Sequence, residues 1–200
     1  MRRFSHLTQR ASDRRMAQHA PDRLATIAAA VLVSADLPAD RDARKTRSAA
    51  AISRTAQRLA VLFEDLIWVG EAPPVGSPGR RVEATEGPGP LGWLASALCA
   101  AESERVLAMS DDVPEPSVDL CLALVAWPEA DVVAPRAPGG GMLFGLYRRT
   151  PTLDCARRLL AEGRSDTAEL HDALGCEYLE AEDLAHVDPE ATAMAGGSAG

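Results

Sequence analysis

Residues 83–149 read EATEGPGPLGWLASALCAAESERVLAMSDDVPEPSVDLCLALVAWPEADVVAPRAPGGGMLFGLYRR. The turn Gly87-Pro88-Gly89-Pro90-Leu91-Gly92 opens an alanine- and leucine-rich segment, 91–101, whose composition favours helix. The apolar run Val106-Leu107-Ala108-Met109 follows as a strand and ends in Ser110-Asp111-Asp112-Val113-Pro114. Ser117, after Pro116, is placed to cap a helix over 117–127. Asp131-Val132-Val133-Ala134 and residues 142–147 are two more strands, divided by a loop over 138–141. Strands alternating with helical patterns build parallel sheets with helices on both faces. This stretch alone therefore decides for an α/β fold.

The flanks extend the same alternation. Residues 25–33 (ATIAAAVLV) form a continuous apolar run, as expected of a strand buried on both faces. A helix beginning at Asp22 competes with that reading, because alanine favours helix. Residues 34–47 are polar and read as a loop. The period of 48–62 predicts a helix with Ile52, Thr55, Leu59 and Leu62 on one face and Arg54, Gln57 and Arg58 in water. Leu66-Ile67-Trp68-Val69 is a short strand stopped by Gly70, 73–79 a Pro/Gly-rich loop, and Arg81-Val82-Glu83 another short strand. Downstream, 152–162 is a helix stopped by Gly163, 166–174 a helix followed by Gly175, and 176–179 a last strand. The sum is a three-layer α/β/α domain with a mostly parallel, Rossmann-like central sheet. It is expected to span 23–189, between a basic, partly disordered extension over 1–22, with a short helix over 14–19, and a loose tail over 190–200.

Composition narrows the partners. The net charge of −8 argues against nucleic acid. Residues 1–47 nevertheless hold ten Lys/Arg against five Asp, so the head is basic and the body acidic. That head reads as a solvated extension or as a contact arm for a polyanion. Aromatic residues make up 4% of the chain, which leaves the core to Ala, Leu and Val. No two of Cys99, Cys121, Cys155 and Cys176 form a C-x-x-C pair, so a zinc or redox motif is not indicated. Cys99 and Cys121 fall in apolar stretches and are expected to be buried. The apolar run 24–33 is far short of the ~20 residues a membrane span needs. Free thiols and the lack of a span or secretory pattern point to the cytoplasm.

Three places can carry chemistry. Asp111 and Asp112 stand at the carboxyl end of a strand, the edge at which open α/β sheets bind ligands. A magnesium ion there needs only one or two carboxylates, with waters and phosphate oxygens completing its shell. The same two acids also suit the solvated start of a loop. The 87–92 turn combines glycines, which admit close approach of a ligand, with amides at a helix start that can face an anion or a base edge. It also suits an ordinary strand-to-helix connection. The histidines are scattered, with none at metal-ligand spacing, and a Walker A sequence is absent.

Taken in order, these pieces resemble the molybdenum cofactor guanylyltransferase family, within the nucleotide-diphospho-sugar type of nucleotidyltransferases. The resemblance covers about 48–189. Residues 62–70 (LFEDLIWVG) are similar to that family's second strand, and Gly89-Pro90-Leu91-Gly92 to its G-P-L-x-G base-contacting turn. Residues 106–114 are similar to its strand ending C-D-x-P, which puts Asp112 on the metal-binding, catalytic aspartate. Residues 131–135 and 143–149 are similar to its D-V-V-x-P and L-F-x-L-Y-R segments. The resemblance implies transfer of GMP from GTP to molybdopterin with Mg2+ on Asp112. It also implies Glu83, Gly89, Pro90 and Leu91 on the nucleotide's base side.

The family's opening loop, L-A-G-G-x-S-x-R-M-G-x-D-K, binds the triphosphate. Here Ser34 and Ala35 stand at its two glycines, Asp36 adds negative charge, and Pro38 removes an amide donor. Alanine occupies the lysine position, with Lys45 and Arg44 beside it. Glu83 stands where an aspartate is usual. Two functions stay open: a nucleotidyltransferase, and a nucleotidyltransferase-fold protein that binds cofactor, nucleotide, a molybdoenzyme or a maturation factor without transfer.

Overall fold

The computed structural model describes residues 26–33, 49–111, 113, 116–127, 129–136 and 143–180. The 14–19 helix, the 34–47 loop with Ser34, Ala35 and Lys45, Asp112, the 138–141 loop and the 190–200 tail lie outside them. The apolar run is a strand, β1 (Ala28–Val33), with all six side chains buried. It lies between β2 (Asp65–Gly70) and β4 (Arg105–Ser110), parallel to both, with Ala30 level with Ile67 and with Ala108. Helical propensity loses here because no face of β1 is left to water. Ala29, Val31 and Val33 pack with Leu59, Trp68, Met109 and Leu120, while Ala28, Ala30 and Leu32 pack with Ile67, Leu94, Leu98 and Ala156. Burying an aliphatic side chain in such a layer contributes roughly 1.5–3 kcal/mol, which outweighs a few tenths of propensity.

The described strands form one sheet in the order β3-β2-β1-β4-β6-β5-β7, with β3 at Arg80–Val82, β5 at Val132–Pro135, β6 at Phe144–Arg148 and β7 at Glu177–Leu179. All but β6 run in one direction, and β6 inserts antiparallel between β4 and β5. Helix α1 (Ala49–Leu62) and helix α3 (Val118–Val125) cover one face through Ala56, Leu59, Leu120 and Leu124. Helices α2 (Gly89–Ala100), α4 (Arg149–Ala161) and α5 (Thr167–Leu174) cover the other through Leu94, Leu98, Leu159 and Leu170. The three-layer, mostly parallel architecture read from the sequence is the one observed.

Local chemistry sets the ends. The Ser117 hydroxyl accepts from the Leu120 amide at 3.1 Å, and Asp166 accepts from the Ala168 amide at 2.9 Å. Gly175 closes α5 at φ 65°, a left-handed position that costs glycine no steric penalty. Helix α4 starts at Arg149, three residues before the expected Thr152, because Pro151 fits a first turn whose amides need no helical partner. Cys121 is buried as expected, but Cys99 is exposed. On α2 the buried stripe runs through Leu91, Leu94, Ala95 and Leu98, and the next residue turns ~100° away from it.

Candidate functional site

The carboxyl ends of β1, β2 and β4 are pinned to one another. The Asp111 amide donates to the Leu32 carbonyl at 3.1 Å, and the Glu71 amide to the Val33 carbonyl at 3.1 Å. The Ser110 amide donates across to Leu143 at 2.8 Å, and the Val113 amide back to Ser110 at 3.1 Å. The chain therefore turns at once on leaving β4, and the turn carries Asp111. From β1 the strand order steps outward to β2 and β3, then jumps back across to β4 on β1's other side. In open α/β sheets the crevice at such a reversal is where ligands bind. Arg81 adds a cation at this edge that the sequence pattern did not single out. Its Nε and Nη2 donate to the Gly70 carbonyl at 3.1 and 3.0 Å.

The 86–92 turn lies at the same edge, since α2 begins where β3 has ended. Gly87 and Gly89 have φ of 151° and 74°, which a residue with a side chain rarely adopts. The Glu86 amide donates to Ser96 Oγ at 3.1 Å, and that hydroxyl donates to the Gly92 carbonyl at 2.8 Å. Leu91 is fully buried, and its amide is taken: it donates to the Ser165 carbonyl at 3.4 Å. The expectation of open amides at this helix start therefore fails for Leu91, because the α4–α5 loop folds over it. Gly89 and Pro90 are half-buried and Glu83 is exposed.

The turn is also tied to α4. Arg157 Nε and Nη2 donate to the two Glu86 carboxylate oxygens, both at 2.7 Å. Those bonds hold the Glu86 carboxyl below its ordinary range and raise the Arg157 guanidinium above its own. Beside them opens a cleft of about 460 Å³, lined by Gly87, Pro88, Leu160, Arg164 and Ser165 together with the pair itself. Glu86, Arg157 and Ser165 had no signal in the sequence. Glu86 and Arg157 are 71 positions apart, and only the packing of α2 on α4 makes them neighbours.

A second polar cluster ties α5 to the sheet. His171 Nε2 lies 3.0 Å from the Tyr147 hydroxyl and Nδ1 3.4 Å from that of Tyr178. Burial holds the imidazole below its ordinary value, with Asp172 and Asp166 acting against it. Burial also raises the Tyr147 hydroxyl and pushes the Cys176 thiol up to about 11. Arg136 sits over the Tyr178 ring at 4.2 Å and donates to Glu180 at 2.8 Å. Among the described residues no group of three or more His, Cys, Asp or Glu could hold a metal ion. None of their helices is long and apolar enough to cross a membrane.

The sheet order and the one antiparallel strand among the described residues define the class: a nucleotide-diphospho-sugar transferase type of α/β fold. No protein-family model and no curated protein matches the chain in sequence. Solved structures do match it. The Aq1419 protein of Aquifex aeolicus is 17% identical with a TM-score of 0.65, over 82% of this chain and 92% of that one. Molybdopterin-guanine dinucleotide biosynthesis protein A of Archaeoglobus fulgidus is 13% identical with a TM-score of 0.62, over 82% and 89%. The 2-C-methyl-D-erythritol 4-phosphate cytidylyltransferase of Thermus thermophilus is 18% identical with a TM-score of 0.52, over 80% and 97%. The chain thus has the fold of nucleotidyltransferases.

Proposed function

We propose that this protein binds a nucleoside triphosphate across the carboxyl ends of β1 and β4 and transfers its nucleotidyl group. The observation that carries the reading is the reversal of strand order between β1 and β4, with Asp111-Asp112 directly after β4. Mg2+ suits those acids. A hard cation that keeps waters and phosphate oxygens needs one or two carboxylates rather than a cluster. In this reading Asp112 would be its principal ligand, and the ion would supply positive charge against the phosphates there. The base lies toward Glu83, Gly89, Pro90 and Leu91, and the triphosphate toward Ser34, Ala35 and Lys45. The finer reading is GMP transfer to molybdopterin. It is supported by the order of sequence segments and by the A. fulgidus structure, whose name places that protein in molybdopterin-guanine dinucleotide biosynthesis.

A second reading is binding without transfer, to a cofactor, a molybdoenzyme or a maturation factor. It is favoured by Ser34-Ala35 at the glycine positions and by the Leu91 amide already engaged by Ser165. Losing one donor aimed at developing charge typically costs a factor of ~10²–10³ in rate. Calorimetry with MgGTP and MgCTP on the wild type and Asp112→Ala tests the site. We expect saturable binding of one nucleotide, weakened at least ~10-fold by the substitution. No binding of either nucleotide by the wild type would sink the proposal. Pyrophosphate release from MgGTP with molybdopterin then separates transfer from binding alone.

A further inference from the structure

We propose that Glu86 and Arg157 are positioning residues for the nucleotide site: their paired hydrogen bonds hold the 86–92 turn in the shape that walls the base. The inference rests on the nucleotide-binding reading above. The turn has little that fixes it from within. Its glycines are conformationally permissive and lose more freedom on ordering than other residues. The residue before α2, Pro88, makes no side-chain capping hydrogen bond. Locally, the Ser96 hydroxyl joins the Glu86 amide to the Gly92 carbonyl, and the tether on the Glu86 side chain comes from a helix far along the sequence.

The tether has the geometry of a strong pair. Both Arg157–Glu86 bonds are 2.7 Å, and two parallel N–H to carboxylate bonds fix direction as well as distance. The Glu86 side chain is 17% exposed, the lowest of any carboxylate in the described ion pairs. The Leu91–Ser165 bond works beside it from the α4–α5 loop. Moving α4 or this loop therefore moves the turn at the ligand edge. The molecule contains a natural control. Arg80 and Asp65 form the same two-bond pair at 3.0 and 2.9 Å, but at the starts of β3 and β2, on the edge away from the site.

The test uses the full chain with Arg157→Met, Arg80→Met and the reversed pair Glu86→Arg with Arg157→Glu. MgGTP and MgCTP affinity is read by calorimetry, and the 86–92 amides by hydrogen exchange. Arg157→Met is expected to weaken the preferred nucleotide at least ~5-fold and to speed exchange over 86–92. Arg80→Met should change neither, and the reversed pair should recover most of both. Unchanged affinity in Arg157→Met overturns the proposal, whether or not exchange speeds up. Equal affinity losses in Arg157→Met and Arg80→Met also overturn it, since they would show general destabilisation. A wild type that binds neither nucleotide overturns the reading of the site and the positioning role with it. Exchange then reports separately whether the pair holds the turn.

Discussion

A methyl group on Gly92 would run into the backbone of Gly87, and one on Gly70 would run into the carbonyl of Val33. The two cases differ. Gly92 is helical, so its problem is space alone, whereas Gly70 also stands at φ 96°. Backbone cannot swing aside as a side chain can. Gly92→Ala should therefore cost at least the ~1–3 kcal/mol of ordinary overpacking, measured by urea denaturation. His171 makes a pH-dependent contribution. Burial holds its imidazole below the usual 6.5, so the unfolded chain takes up a proton first as the pH falls. His171 adds nothing to the pH dependence well above about 6.5, and stability drops as the pH falls through and below that value. Wild type is expected to lose more stability than His171→Gln between about pH 7 and about pH 5 in paired urea titrations. At this scale the sequence was informative about glycines and caps. It was silent about Glu86, Arg157 and Ser165, whose roles depend on partners distant in the chain.

Caps and turn residues made the elements legible. Ser117 and Asp166 occupy the cap positions that their hydroxyl and carboxylate suit, and Gly175 occupies the left-handed stop. Ser117→Ala should cost about 1 kcal/mol in urea unfolding, and Ser117→Gly only a few tenths. The hard element was β1. Ala28, Ala29 and Ala30 favour helix locally, and only the strands beside it and the helix layers above and below make a strand the lower state. The start of α4 was misplaced for a related reason. Proline reads as a breaker in isolation but is tolerated in a first turn.

For the molecule as a whole, the sheet divides the interior into two apolar layers. Leu124 belongs to the α1/α3 side and Ile67 to the α2/α4/α5 side. Leu124→Ala should cost about 2–5 kcal/mol and Ile67→Val about 0.5–1.5 kcal/mol. The double variant should lose the sum of the two within ~0.5 kcal/mol, because the two side chains belong to separate layers. A clear deviation in the double-variant urea curve would mean that the sheet transmits strain between its faces. The same architecture gathers the proposed site, since β1, β2, β4 and the start of α2 all present their ligand ends on one edge.

The sequence by itself determined the alternation of strands and helices, their caps, and the two acids that follow an apolar strand. Those are local properties: period, propensity and capping act within a few residues. It also carried the order of segments that implied a nucleotidyltransferase fold. Tertiary structure alone decided the antiparallel insertion of β6 and the reversal of strand order between β1 and β4. It alone closed the Leu91 amide with Ser165 and joined Glu86 to Arg157. Such contacts depend on which helices pack side by side, a choice made by the burial of whole faces and not by any short stretch of chain.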